Sequence, residues 1–158
     1  MKKRIAVFPG SFDPITKGHE SLVLKALPLF DEIIVAVGKN TSKQYLFSLE
    51  KRIKWIEKTF AAVPSIKVMS YTGLTVDFCE KHSAYFILRG LRNTTDFTFE
   101  QSIAQMNKDL HKKIETICLF TNKEHAAINA SIVRELIKNK APIQQFVPPA
   151  VHQNLKHD

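Results

Sequence analysis

Five short runs rich in β-branched and aromatic residues alternate with segments of helical periodicity, and that alternation leaves few architectures open. The runs are Ile5 to Phe8, Ile33 to Val37, Ile66 to Tyr71, Tyr85 to Leu88 and Thr116 to Phe120. Several are apolar throughout, as strands covered on both faces must be. Helical segments lie between them. The first runs from His19 to about Leu27, where Pro28 must end or kink it. Leu49, Ile53, Ile56 and Phe60 recur at helical spacing behind Ser48, a good N-cap. A third spans about Thr75 to His82, and a fourth, beginning near Asp96, carries Phe99, Ile103, Met106 and Leu110. Ser131 to Lys138 forms another, and a short turn after Pro148-Pro149 closes the chain. Such alternation predicts a parallel sheet with right-handed crossovers and helices on both faces. The expectation is one doubly wound α/β domain over residues 1–158, built on a five-stranded parallel sheet.

Ligands of a doubly wound, Rossmann-like sheet bind beyond the carboxyl ends of its strands, where the strand order switches. Four predicted strands release a polar or cationic loop there: Gly10 to His19, Gly38 to Lys43, Arg89-Gly90-Leu91-Arg92, and Thr121 to His125. The first is the densest in signals. Phe8-Pro9-Gly10-Ser11-Phe12-Asp13-Pro14-Ile15-Thr16-Lys17-Gly18-His19 holds two prolines and two glycines between a strand and a helix. A strand, a tight turn and a helix N-terminus make an anion site, with backbone N–H groups and the helix dipole aimed at the ligand. Gly18 permits close approach, and His19 stands in the first helical turn. The spacing is neither GxGxxG nor a P-loop. The alternative is a plain βα loop capped by Thr16, with an incidental histidine.

Composition narrows the chemistry. A chain of 158 residues suits one domain with a real core. No apolar run nears the roughly 20 residues of a membrane helix. The basic start Met1-Lys2-Lys3-Arg4 is followed by too short an apolar run for a signal peptide. Cys79 and Cys118 sit far apart in apolar segments and read as buried thiols in a reducing compartment, hence a cytoplasmic protein. The net charge of +8 suits nucleic acid, an anionic membrane or small polyanionic substrates. The basic residues are scattered and lack interleaved aromatics, which disfavours nucleic acid. No histidine–carboxylate cluster indicates a metal, and no GxSxG-type nucleophile is present.

Individual rim residues keep two readings. Arg89 and Arg92 either clamp phosphate oxygens or are surface arginines. Lys43 is a phosphate ligand or a solvated loop lysine. Glu100 accepts from a ribose hydroxyl or merely favours a helix N-terminus. Ser131 is either merely a helix N-cap or the cap of a ligand-facing helix that does both jobs. His82, His111, His152 and His157 lack partner spacing and read as surface residues.

Taken together, these segments resemble the phosphopantetheine adenylyltransferase family of the nucleotidylyltransferase superfamily. Thr16-x-Gly18-His19 after Pro9 to Pro14 is similar to the superfamily's (H/T)xGH signature. Ser42-Lys43 with Phe47 to Arg52, Arg89-Gly90-Leu91-Arg92 with Asp96-Phe97-x-x-Glu100, and the ending Phe146-Val147-Pro148 with Val151-His152 resemble this family in particular. The resemblance implies transfer of AMP from ATP to phosphopantetheine with Mg2+, by a homohexamer. It implies that Ser11, Lys43, Thr75 and Arg89 contact phosphopantetheine. It implies ATP contacts from Ser11, Phe12, His19, Gly90, Leu91, Arg92, Glu100 and the segment His125, Ala126, Ala127, Ile128, Asn129, Ala130, Ser131. His19, Lys43 and Arg92 would be catalytic. The chain departs from the family's habits at Asn129 and Ala130, where serines are usual, and at His125 and Phe99. The nucleophile, a terminal phosphate, is already ionised, so catalysis reduces to positioning and charge stabilisation.

Overall fold

The computed structural model describes residues 2–155, which leaves His157 outside the described residues. Five strands, β1 (Ile5–Gly10), β2 (Glu32–Gly38), β3 (Ile66–Tyr71), β4 (Phe86–Leu91) and β5 (Glu115–Phe120), form one sheet in the order β3-β2-β1-β4-β5. Every pairing is parallel. The expected five-stranded doubly wound sheet is present. Six helices flank it: α1 (Lys17–Ala26), α2 (Leu49–Thr59), α3 (Thr75–Lys81), α4 (Thr94–Leu110), α5 (Ala130–Lys138) and α6 (Pro149–Leu155).

The strands bury both faces, as their apolar composition requires. On one side Ala6, Phe8, Val35, Val37 and Leu88 pack with Leu22 and Val23 of α1, Trp55 and Ile56 of α2, Val133 of α5 and Val151 of α6. On the other, Val7, Ile34, Ala36 and Ile87 meet Val76, Phe78 and Cys79 of α3. Alternation of side chains along each strand produces this division. Helix α4 lies on the second side but buries a single residue, Glu100. Phe99, Met106 and Leu110 of α4 stay exposed, as does Phe120 of β5.

Several expectations need correction. Strand β4 runs through Arg89-Gly90-Leu91, where a loop was expected. Arg89↔Cys118, Gly90↔Leu119 and Leu91↔Phe120 continue the ladder with β5. Gly90 also serves helix packing, because a Cβ there would stand 2.8 Å from Leu22 Cδ2. Cys118 is exposed, not buried, because edge strand β5 turns it to the side that α4 covers thinly. The cap of α5 is Asn129, whose side chain accepts from Ser131 N at 2.8 Å, so Ser131 itself lies inside the helix. His111 is half-buried at the end of α4, with Nε2 3.1 Å from Asp77 and Nδ1 3.7 Å from Glu80. His82 lies tilted against Phe78, with ring centroids 4.3 Å apart, and His152 is half-buried with Nδ1 unpartnered among the described residues.

Strands β1 and β2 pair along the whole of β1, from Ile5↔Glu32 to Gly10↔Val37. Strands β1 and β4 pair only at Ala6↔Phe86 and Val7↔Ile87. Beyond Val7 they part, and Pro9 has no N–H with which to continue a ladder. The chain reverses its direction of growth between these two strands, so the gap opens at the switch point where a doubly wound sheet binds ligands.

Candidate active site

Two cavities occupy the carboxyl rim, one on each side of this gap. The first, of about 420 Å³, is lined by Ser11, Lys43, Thr75 and Arg89 together with Lys39, Tyr71 and Ile103. The second, of about 310 Å³, is lined by Gly18, His19, Gly90, Arg92, Glu100, His125, Ile128, Asn129 and Ala130. Pro9, Gly10, Arg89 and Glu100 line both and form the shared wall. The four residues expected to touch phosphopantetheine thus face one cavity, and most of those expected to touch ATP face the other. Ser11 lines only the first, while Phe12, Leu91, Ala126, Ala127 and Ser131 line neither.

The wall is built by Arg89. Its Nη1 donates to Pro9 O at 2.9 Å, satisfying a carbonyl left without a β4 partner where the strands part, and its Nη2 donates to Glu100 Oε1 at 2.5 Å. Glu100 is a buried acid in the second turn of α4, held by this ion pair rather than by the helix dipole. Arg92 is likewise engaged: Nε and Nη2 donate to the two oxygens of Asp96 at 2.9 and 3.1 Å. Its hydrogen bond to Asp96 holds that carboxyl below the usual carboxylate range. Lys43 differs from both arginines. It is exposed, and among the described residues its ammonium has no partner.

The loop after β1 is shaped by packing. Phe12 adopts φ 46°, a left-handed conformation that costs a non-glycine residue about 1–3 kcal/mol. In return its ring is buried against Phe8 and His19, with centroids 5.4 and 5.1 Å away. A Cβ on Gly10 would stand 2.9 Å from that ring. Phe12 therefore offers a ligand its backbone only. Gly18 is different: a Cβ there would meet the protein no closer than 3.5 Å. Neither its φ nor protein packing demands a glycine, which leaves its open face toward the second cavity.

His19 occupies the third position of α1. Thr16 caps the helix by accepting from His19 N, and His19 Nδ1 accepts from Thr16 N at 3.0 Å. Because Nδ1 is an acceptor, the ring proton of the neutral imidazole resides on Nε2. Burial lowers its pKa from 6.5 to about 4, with smaller contributions from the charges of Arg89 and Arg92. At neutral pH, His19 is an uncharged Nε2–H donor.

Sequence reasoning missed three residues that shape this rim. Buried Arg52 donates to Ser11 O at 2.6 Å, and Arg134 to Asp13 O at 3.1 Å, while the Asp13 carboxylate holds the Lys43 loop. Arg52 carried a readable signal, because it shares the buried face of α2 with Trp55 and Ile56. Asp13 and Arg134 had none.

The chain matches the cytidylyltransferase-like family over residues 7–136. It is 53% identical to the phosphopantetheine adenylyltransferase of Flavobacterium psychrophilum over 94% of this chain and 97% of that protein. With the enzyme of the same name from Levilactobacillus brevis it shares 44% identity, over 93% and 91%. Among solved structures it is similar to a bifunctional NMN adenylyltransferase/ADP ribose pyrophosphatase from Francisella tularensis complexed with AMP and a manganese ion. There the TM-score is 0.73 at 18% identity, covering 99% of this chain and 49% of that one. A nicotinate-nucleotide adenylyltransferase described as putative, from Vibrio parahaemolyticus, gives 0.72 at 16%, covering 98% and 99%. At such identities the two structures speak for the fold alone.

The His19 geometry generates a pH prediction. The unfolded imidazole titrates near 6.5 and the folded one near 4, so between them the unfolded chain binds more protons. Stability from this source is complete above 6.5 and drains away as pH falls toward 4. Chemical denaturation at pH 7.5 and 5.0 should show wild type losing about 2 kcal/mol more than His19→Asn. Equal losses in the two proteins would contradict a neutral, partly buried imidazole.

Proposed function

The chain belongs to the cytidylyltransferase-like family and, within it, to the phosphopantetheine adenylyltransferases, and on that footing we propose that it moves AMP from ATP to phosphopantetheine. The products are dephospho-coenzyme A and pyrophosphate, a step of coenzyme A biosynthesis. The observation that carries this reading is the pair of cavities with a common wall at Arg89 and Glu100, Lys43 on one side and His19 on the other. A transfer between two bound anions needs two such chambers in contact.

Phosphopantetheine occupies the first cavity, with Ser11, Lys43, Thr75 and Arg89. ATP occupies the second, with its phosphates over Gly18 and the start of α1. The stretches around Gly90 and from Ile128 to Ala130, which line that cavity, supply its remaining contacts. Transfer is direct and in line. An oxygen of the phosphopantetheine phosphate attacks the α-phosphorus, and the bond from that phosphorus to the pyrophosphate oxygen breaks. The attacking oxygen carries no proton at neutral pH, so no base is required. His19 has the opposite role: its Nε2–H donates to an α-phosphate oxygen as charge gathers there. Lys43 brings an unpaired charge from the acceptor side, and Arg92, held by Asp96 through Nε and Nη2 and by Ile128 O through Nη1 at 3.4 Å, lends its positive charge to the outer phosphates. Glu100 accepts from the ribose with Oε2, its other oxygen being taken by Arg89.

Magnesium enters as the ion of the nucleotide. Among the described residues no three His, Cys, Asp or Glu side chains gather as a ligand set, and magnesium ordinarily binds through substrate phosphates with few protein ligands. No described helix is long and apolar enough to cross a membrane, and a cytoplasmic setting accords with two free thiols. The family resemblance carries a homohexamer, and the exposed apolar Phe99, Met106 and Leu110 of α4 and Phe120 of β5 favour association with another copy.

Three experiments test these statements. Incubation with ATP, magnesium and phosphopantetheine should yield dephospho-coenzyme A by mass, with His19→Ala slower by about a hundredfold and ATP affinity little changed. No product from wild type refutes the activity, and near-normal turnover of the variant refutes the role of His19. Arg89→Lys keeps the charge but loses the fork that joins Pro9 O to Glu100. It should raise the Michaelis constant for phosphopantetheine about tenfold, or 1.4 kcal/mol, and move that for ATP much less. A common rise in both constants would abolish the division into two chambers. Light scattering at micromolar concentration should report an assembly, and a mass of 18.0 kDa would exclude one.

A further inference from the structure

Two buried charges fasten the loop that carries Lys43, and neither is among the rim residues assigned to a substrate. Asp13 is 3% exposed and Arg52 is 1% exposed. A charge taken out of water is costly unless hydrogen bonds satisfy it. The Asp13 carboxylate is satisfied by two backbone groups far along the chain, Leu46 N–H to Oδ2 at 2.8 Å and Phe47 N–H to Oδ1 at 3.0 Å. Arg52 places its guanidinium carbon 4.1 Å from the centre of the Tyr45 ring while donating to Ser11 O. Tyr45 in turn donates its hydroxyl proton to Gly38 O at 3.3 Å and accepts from Asn40 N at 3.0 Å.

The consequence is a loop tied at both ends, whose arc beyond Lys39 is held by contacts of its own, Asn40 Oδ1 accepting from Ser42 N and Oγ. Residues Lys39 to Gln44 are exposed, and Lys43 N reaches only Asn40 O within the same loop. Nothing in that exposed arc fixes where the Lys43 ammonium points. Its reach is set by where the loop is anchored, and the downstream anchor is Asp13, two residues beyond Ser11 in the turn that lines the first cavity. We propose that Asp13 is a positioning residue for Lys43: its carboxylate clamps the Leu46 and Phe47 amides so that the Lys43 ammonium is held over the acceptor cavity. The inference rests on the role given to Lys43 above. A carboxylate suits the task because both its oxygens accept and neither donates. An amide at the same position would aim N–H at N–H on one side.

A double-mutant cycle reads this directly. Asp13→Asn should lower kcat/KM for phosphopantetheine about tenfold or more while ATP affinity, measured by calorimetry, stays within about twofold. In a Lys43→Ala background the same change should cost less than about twofold, because a clamp has no catalytic value without its lysine. Hydrogen exchange at the Leu46 and Phe47 amides should accelerate in Asp13→Asn, and Asp13→Glu should recover part of the loss. An effect of Asp13→Asn that is undiminished in the Lys43→Ala background, or no effect at all, overturns the proposal. If Asp13→Asn does not fold, Tyr45→Phe, which releases the other end of the loop, enters the same cycle with the same expected non-additivity. Lys43→Ala with wild-type kinetics would refute the role of Lys43 itself and the proposal with it. Adenylyl transfer by that same protein would leave the activity assignment standing.

Discussion

The parting of β1 from β4 is the constraint on which the rest of the rim depends. Parallel strands that stayed paired to their ends would leave no crevice, and the loops above them would close over a continuous ladder. Here the ladder stops at Val7↔Ile87, one residue before Phe8 and two before a proline that has no hydrogen to give. The carbonyl of Pro9 is then left facing the gap, and an arginine side chain from the neighbouring strand satisfies it. That one substitution of a side chain for a backbone partner creates both chambers and the partition between them.

Charge at this rim is largely pre-assigned. Arg89 is paired with Glu100 and Arg92 with Asp96, so two of its cations are already neutralised within the protein. Pairs of this kind hold geometry more than they add attraction, since desolvation offsets much of their Coulomb energy. The remaining positive potential comes from Lys39 and Lys43 at the mouth, from the start of α1, and from oriented amides. His19 contributes a dipole and not a charge. A site arranged this way can admit two polyanions and still discriminate by shape, because its strongest cations cannot wander.

Much of this was legible in the sequence, and the reasons for the rest are physical. Alternation of apolar runs with helical spacing specified the sheet because both-face burial leaves no other home for Ile33 to Val37. The Thr16-x-Gly18-His19 spacing located the helix start because a cap and a third-position side chain are local. Strand ends were less legible: Arg89-Gly90-Leu91 looks like a loop by residue type, and only the neighbouring β5 makes it a strand. The cap of α5 was misjudged by two residues because Asn129 and Ser131 are both good capping types. Asp13 was opaque for a different reason. Its partners, the amides of Leu46 and Phe47, are side-chain-independent, so no residue type elsewhere in the chain could announce the contact. Cys118 looked buried because its strand is apolar, whereas burial is a property of the cover above a strand.

Of the seventeen residues of helix α4 only Glu100 is buried, and that carboxylate is the partner of Arg89 in the partition. The helix is thus tied to the rim by two acidic side chains, Glu100 to Arg89 and Asp96 to Arg92, while its apolar flank faces outward. Heritable variation at this point could not be sorted into catalytic and architectural classes. A screen for lost activity would return the same two positions, Arg89 and Glu100, as a screen for a displaced helix, and second-site suppressors of either would be sought on the outer flank of α4.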